Sequence, residues 1–291
     1  MAEAVELQHK LLEAQNADGG WGYDRDSSWT EPTAYALLAL EAQRIKGGAY
    51  QRGCEWLARK QRSDGGWSPA PSVDISTSVT SLVLLALPEA VLAAGDYQRG
   101  IDWTVRQIRP EPTGFARFVS RLRGSPRVED NGGGSPWFPG TAAWIGPTVI
   151  SVLALSEALR RNSDEKLRRT IGRNQQYILF TRCQDGGWNH GGSKFRSQNA
   201  ESYPEMTGMA LLALHSPSAS DLSASIRRAE NFLSCPASSE GLSWLQLGLM
   251  RHGRDRLNVT TDLPCRTTRD TSLRLLALAA HSRSNKLVQA C

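Results

Sequence analysis

Two kinds of apolar segment alternate along the chain. In the first kind, hydrophobic residues recur at helical spacing and polar residues fill the other face. Residues 2–15 are of this kind, with Val5, Leu7, Leu11 and Leu12 apolar, as are residues 49–61, 96–108, 163–182 and 219–233. Each predicts a helix with one buried stripe. The second kind is apolar almost all round. Its cores follow one pattern, Thr-x-x-x-(Leu/Val)-Leu-Ala-Leu, starting at Thr33, Thr80, Thr148, Thr207 and Thr271. A helix without a polar face is walled in on every side. A shorter inner segment runs from Leu242 to Met250. The alternation predicts an array of outer and inner helices in pairs.

A short motif punctuates the array. Gln15-Asn16-Ala17-Asp18-Gly19-Gly20-Trp21 returns as Gln61-Arg62-Ser63-Asp64-Gly65-Gly66-Trp67, and again, shortened, as Gln184-Asp185-Gly186-Gly187-Trp188. A weaker copy is Gly132-Gly133-Gly134-Ser135-Pro136-Trp137. Asp-Gly-Gly ends a helix and turns the chain, because glycine reaches positive φ without a Cβ clash. The Trp brings a large ring to pack between repeats and an N–H that needs an acceptor. The first two copies have a Gln one turn before the Gly pair; Arg182 stands there in the third. Repetition at tens of residues marks units that bury their faces against their neighbours. With polar outer and apolar inner helices, the expected fold is all-α. It is a single α/α toroid of five to six helix pairs over residues 1–291, interrupted by an insertion at about 110–134.

Composition narrows the picture. The chain has 291 residues, 40% hydrophobic and 22% charged, with no apolar run of membrane-spanning length. The N-terminus lacks the basic and apolar regions of a signal peptide. Five scattered cysteines suit free thiols in a reducing compartment, so a cytoplasmic location is expected. The net charge of +5 permits contact with an anionic surface without requiring it. In the insertion, Phe115, Phe118, Val119 and Leu122 alternate with Arg117, Arg121 and Arg123. That is a basic amphipathic helix: a lid packed on the body, a peripheral membrane contact through 115–123, or a holder for a diphosphate. Phosphate-loop and dinucleotide motifs are absent, and no nucleic-acid partner is expected. His190, His215, His252 and His281 are isolated.

The Gln-x-x-Asp-Gly-Gly-Trp connectors and inner helices beginning Pro-Thr-Ala resemble the prenyltransferase/squalene-cyclase repeat family over roughly residues 5–280. The resemblance implies an α6/α6-type barrel whose inner helices enclose an apolar cavity for isoprenoid chains. It implies an isomerase or lyase resembling class II terpene cyclases, which cyclises a prenyl substrate after protonating it. The alternatives are a non-catalytic isoprenoid-binding or protein-interaction toroid, and a relative of the protein-prenyltransferase β subunit. The Asp-x-Asp-Asp of class II cyclases is absent. Asp262 and Cys265 do not have the spacing of the prenyltransferase zinc site, so no metal site is expected. No cofactor is expected either, with Mg²⁺ called for only if the substrate carries a diphosphate.

Candidate acids follow from register. Two residues before each Thr stand Glu31, Ser78, Gly146, Glu205 and Arg269. Glu31 and Glu205 therefore share one position and would face one mouth of a closed ring. Either they supply a general acid or cation stabiliser, or they answer the helix dipole at an N-terminus, worth about 0.3–1 kcal/mol. Asp74 follows the second connector and is a third candidate acid; Asp24 and Asp26 hold similar loop positions. Four residues before the Thr stand Trp29, Trp144 and Tyr203, at a loop position that propensity does not explain. With Tyr35 and Phe138 they form a candidate substrate-binding set of ring faces, able to stabilise cations or wall an apolar cavity. Packing between repeats is the other use for these rings.

Overall fold

Inner and outer helices separate as the pattern predicts. The computed structural model describes residues 2–24, 27–108, 133–191, 200–214, 221–256 and 263–289. The basic amphipathic stretch 115–123, Asp26, His215 and Asp262 lie outside the described residues. The outer helices are α1 (Ala2–Glu13), α3 (Gly48–Ala58), α5 (Ala94–Gln107), α7 (Glu165–Phe180) and α9 (Ser223–Leu233). The inner ones are α2 (Thr30–Ala42), α4 (Val79–Ala86), α6 (Ile145–Arg161), α8 (Pro204–Ala213), α10 (Ser239–Arg251) and α11 (Thr268–Leu278). A final short helix, α12, spans Lys286–Gln289. Two short strands, β1 (Ser135–Pro136) and β2 (Ala143–Trp144), pair antiparallel before α6.

The inner helices close on themselves. Helix α2 packs on α4, α4 on α6, α6 on α8, α8 on α10, α10 on α11, and α11 back on α2. Closure gives every inner helix two inner neighbours, so α2 is buried from Pro32 to Ala42 without a break. It also removes the exposed end an open array would have to cap. Gln43 sits across the seam, its Nε2 donating to the Leu275 carbonyl at 2.8 Å.

Each connector residue has a structural partner. The indole N–H of Trp21, Trp67 and Trp188 donates to a carbonyl at the end of the preceding outer helix, Leu11 (2.8 Å), Leu57 (2.8 Å) and Ile178 (2.7 Å). All three rings are fully buried. Their backbone N–H groups donate to the hydroxyls of Thr33, Thr80 and Thr207 at 2.8, 2.8 and 3.0 Å. In the weaker copy Ser135 N–H donates to Thr148 at 2.8 Å. This accounts for four of the five recurring Thr residues, whose hydroxyls fasten the connector to the inner helix; the Thr271 hydroxyl instead donates to the Thr267 carbonyl at 3.1 Å. Gln15 and Gln61 bridge their own turn to the next outer helix, donating to Ala49 and Asp96 carbonyls at 2.8 Å each. Arg182 performs that task in the third copy, reaching the Asp221 carbonyl at 3.1 Å. The carboxylates of Asp18, Asp64 and Asp185 accept the N–H of Gly20, Gly66 and Gly187, each at 3.0 Å. Burial works against these charges, but their hydrogen bonds outweigh it and hold all three below the usual carboxylate range.

At the far end of the ring, the segment around α12 covers the inner-helix C-termini. Lys286 Nζ lies 2.9 Å from Glu41 Oε2 and donates to the Ala86 carbonyl at 3.3 Å. Asn285 and Leu287 are buried beneath it. No helix among the described residues is long and apolar enough to cross a membrane.

Candidate active site

At the connector end the first turns of the six inner helices surround a cavity of about 420 Å³. Each helix contributes the residue at one register position: Glu31 from α2, Ser78 and Val79 at the start of α4, Gly146 from α6, Glu205 from α8, Glu240 from α10 and Arg269 from α11. The floor is apolar, made by Leu82, Ile150, Met206 and Met209. Tyr35, Trp137, Tyr203 and His190 supply ring faces. Trp137 and Tyr203 are almost half exposed, as rings at an open mouth must be.

The mouth is electrostatically lopsided. Arg269 lies 2.7 Å from Glu240 Oε1 through Nη2 and 3.4 Å from Glu31 Oε1 through Nε. Glu31 also accepts a short hydrogen bond from the Tyr23 hydroxyl. The Arg269 guanidinium stands 5.7 Å from the centre of the Tyr35 ring, a cation–π distance. Burial opposes its charge, but Glu31, Tyr35 and Glu240 more than offset this and keep it protonated. Burial pushes the Glu240 carboxyl up; Arg269 opposes the shift and Glu205 adds to it. Glu205 accepts from the Ser238 hydroxyl at 3.1 Å. Among the described residues, no cation pairs with Glu205. Helices α8 and α10 touch backbone to backbone: a Cβ on Gly208 would lie 2.3 Å from the Trp244 carbonyl carbon. That close approach, open only to glycine, sets Glu205 and Glu240 side by side.

The candidate residues divide into those at the cavity and those elsewhere. Glu31, Glu205, Tyr35 and Tyr203 line it. Trp29 and Trp144 stand one layer out, Trp29 edge-on to Tyr23 at 5.7 Å and Trp144 edge-on to His190 at 5.9 Å. Phe138 is half exposed beside Trp137 and does not line the cavity. Asp74 is not at the cavity either. Its side chain is 96% exposed and pairs with Arg62 at 2.6 Å, because the loop after the second connector turns to the outer surface. Helix register did not reveal Glu240 or His190. Among the described residues no group of three His, Cys, Asp or Glu side chains is placed to hold a metal ion. Cys265 contacts Ser239 and Lys10 instead.

No family model matches the chain. A stretch covering 21% of it is 42% identical over 62 residues to drimenyl diphosphate synthase of Streptantibioticus cattleyicolor. Another, covering 20%, is 39% identical over 72 residues to protostadienol synthase A of Arthroderma gypseum. These stretches span 12% and 10% of the relatives' own lengths. Among solved structures, a variant of the type II terpene cyclase MstE from Scytonema, bound to merosterolic acid A, superimposes with a TM-score of 0.52 at 17% identity. That match covers 98% of this chain and 81% of the cyclase. The GH76 α-mannanase of Bacteroides thetaiotaomicron gives 0.58 at 9% identity, covering 98% and 95%. The endo-β-1,4-glucanase CMCax of Acetobacter xylinum gives 0.58 at 13%, covering 97% and 98%. The α/α toroid and the resemblance to terpene cyclases therefore both hold. The glycosidases share the same fold, and fold alone does not choose among these chemistries.

Proposed function

We propose that the cavity binds an isoprenoid and that Glu205 protonates it to start cyclisation. One observation carries this reading: the same register position of six inner helices converges on a single cavity that joins carboxyl groups, ring faces and an apolar floor. A sugar would find few polar partners on that floor, whereas a hydrocarbon chain is desolvated there at about 25 cal/mol per Å² of apolar surface buried. Glu31 and Glu240 are tied to Arg269, and Glu205 is bonded by a neutral hydroxyl. Glu205 is thus the carboxyl placed to release a proton. Its O–H bond breaks as a C–H bond forms at one alkene carbon, leaving the positive charge on the other. The faces of Tyr35, Trp137 and Tyr203 and the remaining carboxylates stabilise that charge. Ring closure moves the cation along the chain, and loss of a proton returns the substrate as an isomer. No redox partner enters this balance.

A second reading keeps the binding and drops the chemistry. The engagement of Glu31 and Glu240 with Arg269 favours it, since two of the three acids then serve as counterions. One assay separates the two. The purified protein is incubated with squalene and with prenyl diphosphates of several lengths, with and without Mg²⁺, and products are read by gas chromatography and mass spectrometry. Cyclised product is expected, reduced at least about 100-fold in Glu205→Gln, the range for losing a general acid, and unchanged in Asp74→Asn. Product that survives Glu205→Gln refutes the acid assignment. Thermal stabilisation by an isoprenoid without any turnover leaves the binding toroid.

A further inference from the structure

The charge around the mouth restricts the polar end of the ligand. The cavity divides into two halves. On one side the inner helices present Ser78, Val79 and Gly146, with the Trp137 ring 3.4 Å from where a Gly146 Cβ would stand. On the other they present Glu205, Glu240, Arg269 and Glu31. Among the described residues, Arg269 is the guanidinium or ammonium group lining the cavity, and both of its neighbouring carboxylates already use it. Among the described residues, an anionic head group entering here meets three carboxyls and one guanidinium that two of them already share. A cationic one meets Glu205, a carboxyl that no cation among the described residues pairs with, at the cavity that the Tyr203 ring also lines.

We infer that the cavity is a head-group-selective site, taking an apolar chain that ends in an ammonium group and rejecting one that ends in a diphosphate. The inference rests on the isoprenoid binding proposed above and takes its non-catalytic form, in which Glu205 is the counterion of the head group and not the acid. The chain lies on the apolar half and floor, and the ammonium sits against Glu205 and the ring faces, where cation–π attraction and a carboxylate act together. An alkyl ammonium has a pKa close to that of lysine, about 10, so it enters charged at neutral pH.

Three probes share one fifteen-carbon chain: farnesylamine, farnesol and farnesyl diphosphate. Their binding is measured by calorimetry at pH 7 and low salt, the diphosphate with and without Mg²⁺. Farnesylamine is expected to bind at least about tenfold tighter than farnesol, and the diphosphate at least about tenfold weaker. Added salt should shrink the advantage of the amine, since mouth charges are partly screened. Glu205→Gln should bring farnesylamine within about threefold of farnesol. Met209→Trp, which fills the floor, should abolish binding of both. Diphosphate binding as tight as farnesol, or an amine preference that survives Glu205→Gln, overturns the inference and leaves the isoprenoid reading intact. Failure of all three probes overturns the two together.

Discussion

Replacing Arg269 with methionine keeps most of the side-chain volume and removes the positive charge that Glu31 and Glu240 share. At an effective dielectric of about 20, contacts of 2.7 and 3.4 Å correspond to about 6 and 5 kcal/mol of gross attraction. Most of that offsets the desolvation of three charges. Breaking a fully buried pair by removing one partner costs about 3–5 kcal/mol. The three side chains here are 26%, 21% and 25% exposed for Arg269, Glu31 and Glu240, so water still screens them. The expected loss at pH 7 is therefore about 2–3 kcal/mol. For a chain of this size that lowers Tm by about 5 °C. The pH dependence is the sharper test. Burial already raises the Glu240 carboxyl, and Arg269 is the main opposing influence. Removing it raises that pKa further. A carboxyl whose folded pKa lies above its unfolded value of about 4.3 contributes stability that is fully present below 4.3 and lost as pH rises through the folded pKa. The deficit of Arg269→Met should thus be under about 1 kcal/mol near pH 4, grow as pH rises, and level off at neutral pH. Thermal melts of both proteins between pH 4 and 7.5, followed by circular dichroism, measure it. A deficit that stays constant across this range, or that is larger in acid, refutes the assignment of Arg269 as the charge that holds the mouth together.

The connectors give two further predictions. Gly65 has φ +92°, and a Cβ there would lie 2.6 Å from the Arg99 carbonyl oxygen; at Gly186 the φ is +91° and the matching contact is 3.0 Å. Gly65→Ala and Gly186→Ala both incur the left-handed penalty of about 1–2 kcal/mol, and Gly65→Ala should cost clearly more in urea melts; equal costs would mean that the close approach to the next helix is relieved freely. Thr80→Val leaves the fully buried Trp67 N–H without its acceptor, an expected loss of about 1–3 kcal/mol. An unchanged denaturation midpoint would show that this hydroxyl does not fasten the connector to its helix.

What the chain order revealed, and what it hid, follows from what each repeat residue does. The outer and inner helices were legible because burial on one side or all round leaves different apolar patterns, and because Gly-Gly-Trp marks the turn between them. The pairing of Glu31 with Glu205 was legible for a related reason. The Thr two residues later, Thr33 or Thr207, is fixed by its bond to a connector Trp N–H, so aligning the Thr residues aligned the mouth. Asp74 could not be placed in this way, because proximity in sequence to a connector says nothing of direction; its loop turns to the outer surface to meet Arg62.

Glu240 shows where register reasoning stops. Helix α10 follows the loop after α9 with no Gly-Gly-Trp before it, so no connector N–H has to be met. Leu242 stands where the other inner helices carry Thr, and the helix is capped by Ser238, whose side chain accepts the Gly241 N–H at 2.9 Å. Four of the five Thr residues that made the other helices alignable meet a connector N–H, and α10 has neither the connector nor the Thr; α11 keeps Thr271 without a connector, its hydroxyl donating to the Thr267 carbonyl at 3.1 Å. The cavity-lining position two residues earlier is kept all the same, and Glu240 lines the cavity with the rest. In this toroid the Thr belongs to the scaffold and the residue two before it to the site. The two are selected by different neighbours, one by a connector and the other by the mouth. An alignment built on the scaffold therefore finds the site only where both tasks coincide. The three acids of this mouth come from two helices where they coincide and one where they do not.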